Sequence, residues 1–201
     1  MSYAVTAYAT DLGRIRQVLG SGDASLVPAY LDGFAARELD VNEIVDDELA
    51  DRSPALTIGA AARQMIMGGP YRRHVAHVYG ELLEFFCDFH GTFLDNNAWS
   101  PVGGSFIDDV SQALASAGAG PGAPSMGGLM RGGAPVPLPP IVDFPFIGFL
   151  ERDQVPPALD ALARADLDRI TEPSIRESAA AVISWLRECH GSGRSLVCFY
   201  Q

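Results

Sequence analysis

The sequence predicts an α+β fold: a small, mostly antiparallel sheet formed by N-terminal, central and C-terminal strands and packed by several helices. Three observations carry this. Both ends of the chain are rich in β-branched and aromatic residues, SYAVTAY at 2–8 and LVCFYQ at 196–201. The last of these is apolar on both faces, with Leu196, Cys198 and Tyr200 on one side and Val197 and Phe199 on the other. A strand buried on both sides belongs inside a sheet. Between the two ends, apolar residues recur mainly at helical spacing.

Taken in order, residues 2–8 read as a strand broken at Thr10 and Asp11. Leu12, Ile15, Val18 and Leu19 then mark a helix that Gly20 and Gly22 stop. A second helix is predicted over 24–36, capped by Asp23, with Leu26, Val27, Tyr30, Leu31 and Phe34 as its stripe. The acidic stretch DVNEIVDDELAD, 40–51, reads as a short helix or a loop with solvated charges. Residues 54–67 read as a helix ended by Gly68, Gly69 and Pro70. The longest candidate follows at 72–89, then a loop at 94–104 and a helix over 105–117.

Residues 118–140, GAGPGAPSMGGLMRGGAPVPLPP, are mostly Gly and Pro, and the composition predicts a flexible loop without helix or strand. Its glycines form no phosphate loop, since no Lys–Ser/Thr pair follows them. Order resumes with a strand at 143–150 and a helix at 153–163. The last helix spans 174–189, where Ser174 and Glu177 have capping-box spacing and Gly191 is the stop.

The 201 residues suit one α+β domain spanning 1–201. Hydrophobic residues make up 48% and charged residues 19%, enough apolar content for a core without disulfide or metal staples. No apolar run is long enough to span a bilayer, and the N-terminus lacks the basic and apolar regions of a secretory signal. The expectation is a cytoplasmic protein that binds no membrane. A net charge of −11 repels phosphate backbones, which argues against nucleic acid. All the basic residues are Arg, a composition that fits a GC-rich genome. Cys87, Cys189 and Cys198 are odd in number and far apart, so they form no disulfide framework or zinc knuckle.

The segment HVAHVYGELLEFFCDFHG, 74–91, gathers three histidines, a cysteine and three acidic residues. On a helical wheel His74, His77, Glu81, Glu84 and Asp88 share one narrow sector, and His90 points to the opposite, apolar side. His74, His77 and Glu81, at i, i+3 and i+7, are the candidate metal ligands, although a further ligand must come from elsewhere and the pattern is not HExxH. The competing reading is a solvated stripe on an amphipathic helix. His90 reads as a core or capping histidine. Trp99, in NNAWSP, reads as either an exposed recognition aromatic or a plug inserted into the core from a loop. Tyr71, Arg72 and Arg73 could meet an acidic ligand, but Arg in a first helical turn is usually solvated. No GxSxG or GxGxxG motif is present. No catalytic residue and no cofactor is assigned.

SYAVTAYATDLGRIRQVLGSGD, ALTIGAAARQMIMGGP, LDNNAWSP, DFPFIGFLERDQVPPAL and LVCFYQ together resemble an uncharacterised bacterial family, a domain of unknown function common in actinobacteria and related high-GC bacteria. The resemblance covers nearly the whole chain outside the Gly/Pro loop. The order of elements is also similar to that of YfbM-like proteins, which implies an α+β fold. Here the chain departs by placing Glu151 where those proteins tend to have a Thr or Ser cap. Neither resemblance implies an activity.

The functional expectation is a non-enzymatic protein-interaction module that binds a basic protein partner, as an immunity protein neutralises a nuclease toxin. Asp46, Asp47 and Glu48 are the expected contacts, with Trp99 as a candidate recognition residue. The alternative is a small-molecule or metal-dependent enzyme with a pocket beside the 72–89 helix, roofed by the Gly/Pro loop and using His77 and Glu81.

Overall fold

The computed structural model describes residues 3–46 and 55–201. Six strands and eight α-helices are placed among them: β1 (Val5–Thr10), α1 (Leu12–Val18), α2 (Val27–Ala35), β2 (Ile44–Asp46), β3 (Leu56–Thr57), α3 (Ile58–Met67) and α4 (Ala76–Phe89). These are followed by β4 (Gly91–Leu94), α5 (Phe106–Ser116), α6 (Met126–Arg131), β5 (Phe146–Leu150), α7 (Val155–Leu162), α8 (Pro173–Ser192) and β6 (Ser195–Tyr200). The chain divides into two compact units. One comprises 1–12, 91–135 and 146–201, and the other 13–90 and 136–145.

The first unit contains a four-stranded sheet of order β4-β1-β6-β5 in which every neighbouring pair is antiparallel. Val5 pairs with Tyr200 and Thr10 with Ser195, so the two ends of the chain lie side by side. All six residues of β6 are buried, as expected of an interior strand apolar on both faces. Across one face of the sheet run the small residues Ala7, Cys198 and Gly148, each opposite the next. A β-carbon on Gly148 would overlap the backbone carbonyl of Leu129, so α6 lies directly on β5 at this row.

That contact accounts for a helix inside the Gly/Pro stretch, where composition predicts none. Met126, Leu129 and Met130, at i, i+3 and i+4, are buried. Ser125 caps the helix by accepting from Gly128 N at 3.0 Å, and Met126 N donates to Ser111 Oγ at 3.0 Å. Tertiary burial outweighs the poor helix propensity of Gly127 and Gly128.

Other departures from the sequence reading have local causes. The helix expected over 54–67 begins only at Ile58, because Leu56 and Thr57 pair with β2 and the Thr57 hydroxyl caps α3 by accepting from Ala60 N at 3.1 Å. The capping box at Ser174 and Glu177 is not used. Helix α8 starts at Pro173 behind Glu172, and Ser174 Oγ donates to Glu172 Oε1 at 3.1 Å. Its stop is Gly193 rather than Gly191, with φ of 64° in the left-handed region that glycine tolerates. Residues 91–94, of which only the last fell within the expected 94–104 loop, form strand β4. Asp23 does act as a cap, accepting from Ser25 N at 2.9 Å, on a 3-10 turn (Ala24–Leu26) that leads into α2.

In the second unit, helix α4 turns Val78, Tyr79, Leu82, Leu83, Phe86 and Cys87 inward. Tyr30, Phe34 and Phe86 form an aromatic cluster, with Phe34 and Phe86 edge to face at 5.0 Å between ring centres. At Gly80 the helix meets Ile141 and Pro145 closely, and a β-carbon there would displace the Ile141 side chain. No helix among the described residues is long and apolar enough to cross a membrane.

Candidate functional site

The second unit places a buried carboxylate, an arginine and a histidine together. Asp46 ends β2, whose pairing with β3 shifts register between Ile44 and Asp46. In a regular strand these two residues would share a face. Here the irregularity turns Asp46 inward while Ile44 stays 59% exposed. The Asp46 side chain is 1% exposed, and its Oδ2 accepts from Arg72 Nη1 at 2.7 Å and from His74 Nε2 at 2.8 Å.

The two donors come from the connection ahead of α4. Residues Arg73–Val75 form a 3-10 turn, and Arg72 precedes it in an extended conformation. The backbone N–H of Arg72 donates to Tyr79 Oη at 3.0 Å, and the Tyr79 hydroxyl donates to Gln64 Oε1 at 2.5 Å. Burial, first of all, pushes the Tyr79 phenol up, and the nearby charge of Asp46 adds to this against the lowering effect of Arg72. The hydroxyl therefore stays protonated and fixes the Arg72 backbone. Tyr71 packs edge-on against the Tyr79 ring at 4.9 Å between centres.

This arrangement revises the sequence reading residue by residue. Asp46 is not a solvated contact charge, because its carboxylate is consumed by an internal ion pair. Asp47 and Glu48, expected to act with it, lie outside the described residues. Arg72 is not a solvated first-turn residue. His74 leaves the stripe it was expected to share with His77 and Glu81, because α4 begins at Ala76 and the 3-10 turn breaks the helical register. Its ring reaches Asp46, and its side chain is 43% exposed.

His77 and Glu81 remain neighbours on the outer face of α4, both exposed. Among the described residues no group of three or more His, Cys, Asp or Glu side chains is placed to hold a metal ion. Desolvation by the surrounding protein pushes the Glu81 carboxyl up. His77 opposes that shift, and the charges of Glu84 and Glu43 add to it. Asp88, at the far end of the stripe, pairs with Arg37 at 2.6 Å, and that guanidinium lies 5.0 Å from the centre of the Phe89 ring. His90 caps the C-terminus of α4, and its Nε2 lies 2.6 Å from Tyr30 Oη.

Trp99 belongs to the first unit and is fully buried, so it serves as a core plug and offers no exposed ring for recognition. Its indole N–H donates to the Ser178 carbonyl at 3.1 Å, and its ring packs edge-on against Phe106. The three cysteines are buried free thiols. Burial pushes Cys189 up to about 12 and Cys198 further still, which suppresses the reactive thiolate in both.

The sequence reading missed Glu43 and Gln64. The visible signal for Asp46 is an acid directly after the apolar pair Ile44–Val45, but only the register shift reveals which way it points.

No curated protein and no solved structure matches the chain. A family model does match, over residues 1–201. The pattern of motifs from SYAVTAY to LVCFY thus has its counterpart in a family, and the chain belongs to the domain of unknown function DUF7691.

Proposed function

We propose that this protein is an interaction module that binds a basic protein partner through an acidic face on the second unit. The observation that carries the reading is the exposure of Glu43 and Glu81 on two elements of the second unit. Glu43 lies in the lead into β2 and Glu81 on the outer face of α4. The charge of Glu43 reaches the Glu81 carboxyl, adding to the upward push of desolvation against the opposing His77. A concentration of exposed carboxylates favours a ligand of opposite sign. Arg72 and His74 are turned toward Asp46. Ile44, 59% exposed beside Glu43, adds an apolar contact to the charged ones.

In this role the Asp46–Arg72–His74 cluster is a positioning device. It fixes the end of β2 against the start of α4, and so holds Glu43 near Glu81. The chain's overall charge of −11 adds long-range attraction for a basic partner.

The test is capture of partners by crosslinking in the source cell, with the wild-type chain and with a Glu43→Lys/Glu81→Lys variant. The expected result is a basic protein whose association slows about tenfold in the variant at low salt, with most of the difference lost near 0.5 M salt. An unchanged association rate, or capture of acidic partners alone, overturns the reading.

A further inference from the structure

We propose that the open edge of β4 is a second docking surface, which takes an extended, basic segment of a partner protein as a fifth strand. It lies in the first unit and goes beyond the acidic face described above. It shares with that reading only the sign of the partner's charge.

Strand β4 is at the edge of the sheet, paired on one side with β1 in unbroken register from Ala7–Leu94 to Thr10–Gly91. An edge strand offers a row of backbone N–H and C=O groups to any extended chain that approaches. Proteins usually blunt such an edge with a charge, a proline or a bulge. Gly91–Leu94 has none of these. Thr92 is exposed and Phe93 is 46% exposed, so the strand is open to solvent.

Side chains alternate along an added strand, and each side meets a different surface. On one face Phe93 lies edge-on to Tyr8, with 5.6 Å between ring centres, and offers an aromatic platform to an apolar side chain. On the other, a groove of about 310 Å³ runs between β4 and α8. Its walls are Thr92, Phe93, Leu94 and Asp95 from the strand and its end, and Ser184, Trp185 and Glu188 among the residues of α8. The ring of Trp185 is fixed by its N–H, which donates to the Asp95 carbonyl at 2.7 Å.

Charge selects the occupant. The charged residues that line the groove are Asp95 and Glu188, both acidic. Arg194 donates to the Thr92 hydroxyl at 3.0 Å and to the Ala9 carbonyl at 3.4 Å, both neutral acceptors, so its one positive charge stands against the two carboxylates of the groove. A second copy of this chain would bring a further charge of −11 to the same edge. A segment that alternates basic and apolar residues fits both faces, with Lys or Arg in the groove and an aliphatic group on Phe93.

The experiment uses the full chain and two synthetic eight-residue peptides, one alternating Lys with Val and one alternating Glu with Val. Binding is followed by NMR together with amide hydrogen exchange. The Lys–Val peptide is expected to bind at least tenfold more tightly and to slow exchange of amides within Gly91–Leu94. Phe93→Lys and Glu188→Lys, both at exposed positions, should each weaken it at least fivefold with an unchanged far-UV CD spectrum. Glu43→Lys/Glu81→Lys should leave the β4 protection intact, which separates failure here from failure of the acidic-face reading. The proposal is overturned by equal binding of the two peptides, by no binding, or by protection that avoids β4. Self-association through β4 that Phe93→Lys abolishes would also overturn it, in favour of a second copy.

Discussion

The carboxylate of Asp46 lies 2.7 Å from the guanidinium of Arg72 and is 1% exposed to solvent. The two residues are far apart in sequence, and each is misread when taken alone. Breaking a buried pair by removing one partner leaves the other charge uncompensated. Asp46→Ala is therefore expected to lower stability by about 3 kcal/mol, less than a fully buried pair because Arg72 retains some contact with water. His74→Ala should cost under about 1 kcal/mol, since its side chain is nearly half exposed. Urea unfolding of both variants checks this. Equal losses would mean that the histidine, rather than the arginine, holds Asp46 in place.

A second expectation concerns the helix within the Gly/Pro stretch. Gly148→Ala puts a methyl group into the Leu129 carbonyl and against Met130 N. Both are backbone atoms, so relief requires α6 to lift from β5. The expected cost is about 2 kcal/mol or more. Limited proteolysis should then cut within 118–140 faster than in the wild-type chain. A variant as stable and as resistant as the wild type would show that α6 is not seated on this glycine.

The third follows from Cys189, whose thiol is raised from an ordinary value near 9 to about 12, chiefly by burial. Between these values the unfolded chain has lost the proton and the folded chain retains it. The unfolded state then binds fewer protons, so stability falls as pH rises from about 9 toward 12 and is unaffected by this group below about 9. The slope is about 1.4 kcal/mol per pH unit for one thiol. Urea unfolding at pH 8, 9 and 10 should reveal the decline, and Cys189→Ala should make it shallower. A thiol reagent at pH 8 should leave Cys189 and Cys198 unmodified until the chain is unfolded. Rapid native labelling of either would contradict their burial.

Much of the candidate site was hidden in the sequence for a definite reason. The wheel that grouped His74 with His77 and Glu81 assumed one continuous helix from residue 72. The 3-10 turn over Arg73–Val75 breaks that register, and nothing in the local sequence marks the break. Asp46 sits among five other acids in residues 40–51, a composition that points to solvent. Its burial depends on the register shift in β2 and on Arg72, neither of which composition reveals. The aromatic character of Trp99 was plain, and the sequence left open whether it faced solvent or core.

What the sequence determined by itself was the architecture that follows from periodicity. β6 is apolar on both faces, so it had to be an interior strand, and both chain ends favour β structure. The helical stripes that became α1, α2, α5 and the body of α4 from Ala76 similarly needed only their own spacing. Tertiary structure decided the elements whose stability comes from elsewhere. β4 carries only four residues, two of them exposed, and exists because β1 supplies its hydrogen bonds. α6 forms against its own composition because Met126, Leu129 and Met130 find a buried surface and Gly148 admits the helix backbone. Local preference is worth a few tenths of a kcal/mol per residue, whereas burial of one large side chain is worth about 2 kcal/mol. Where the two disagree, packing decides, and packing is a property of residues distant in sequence.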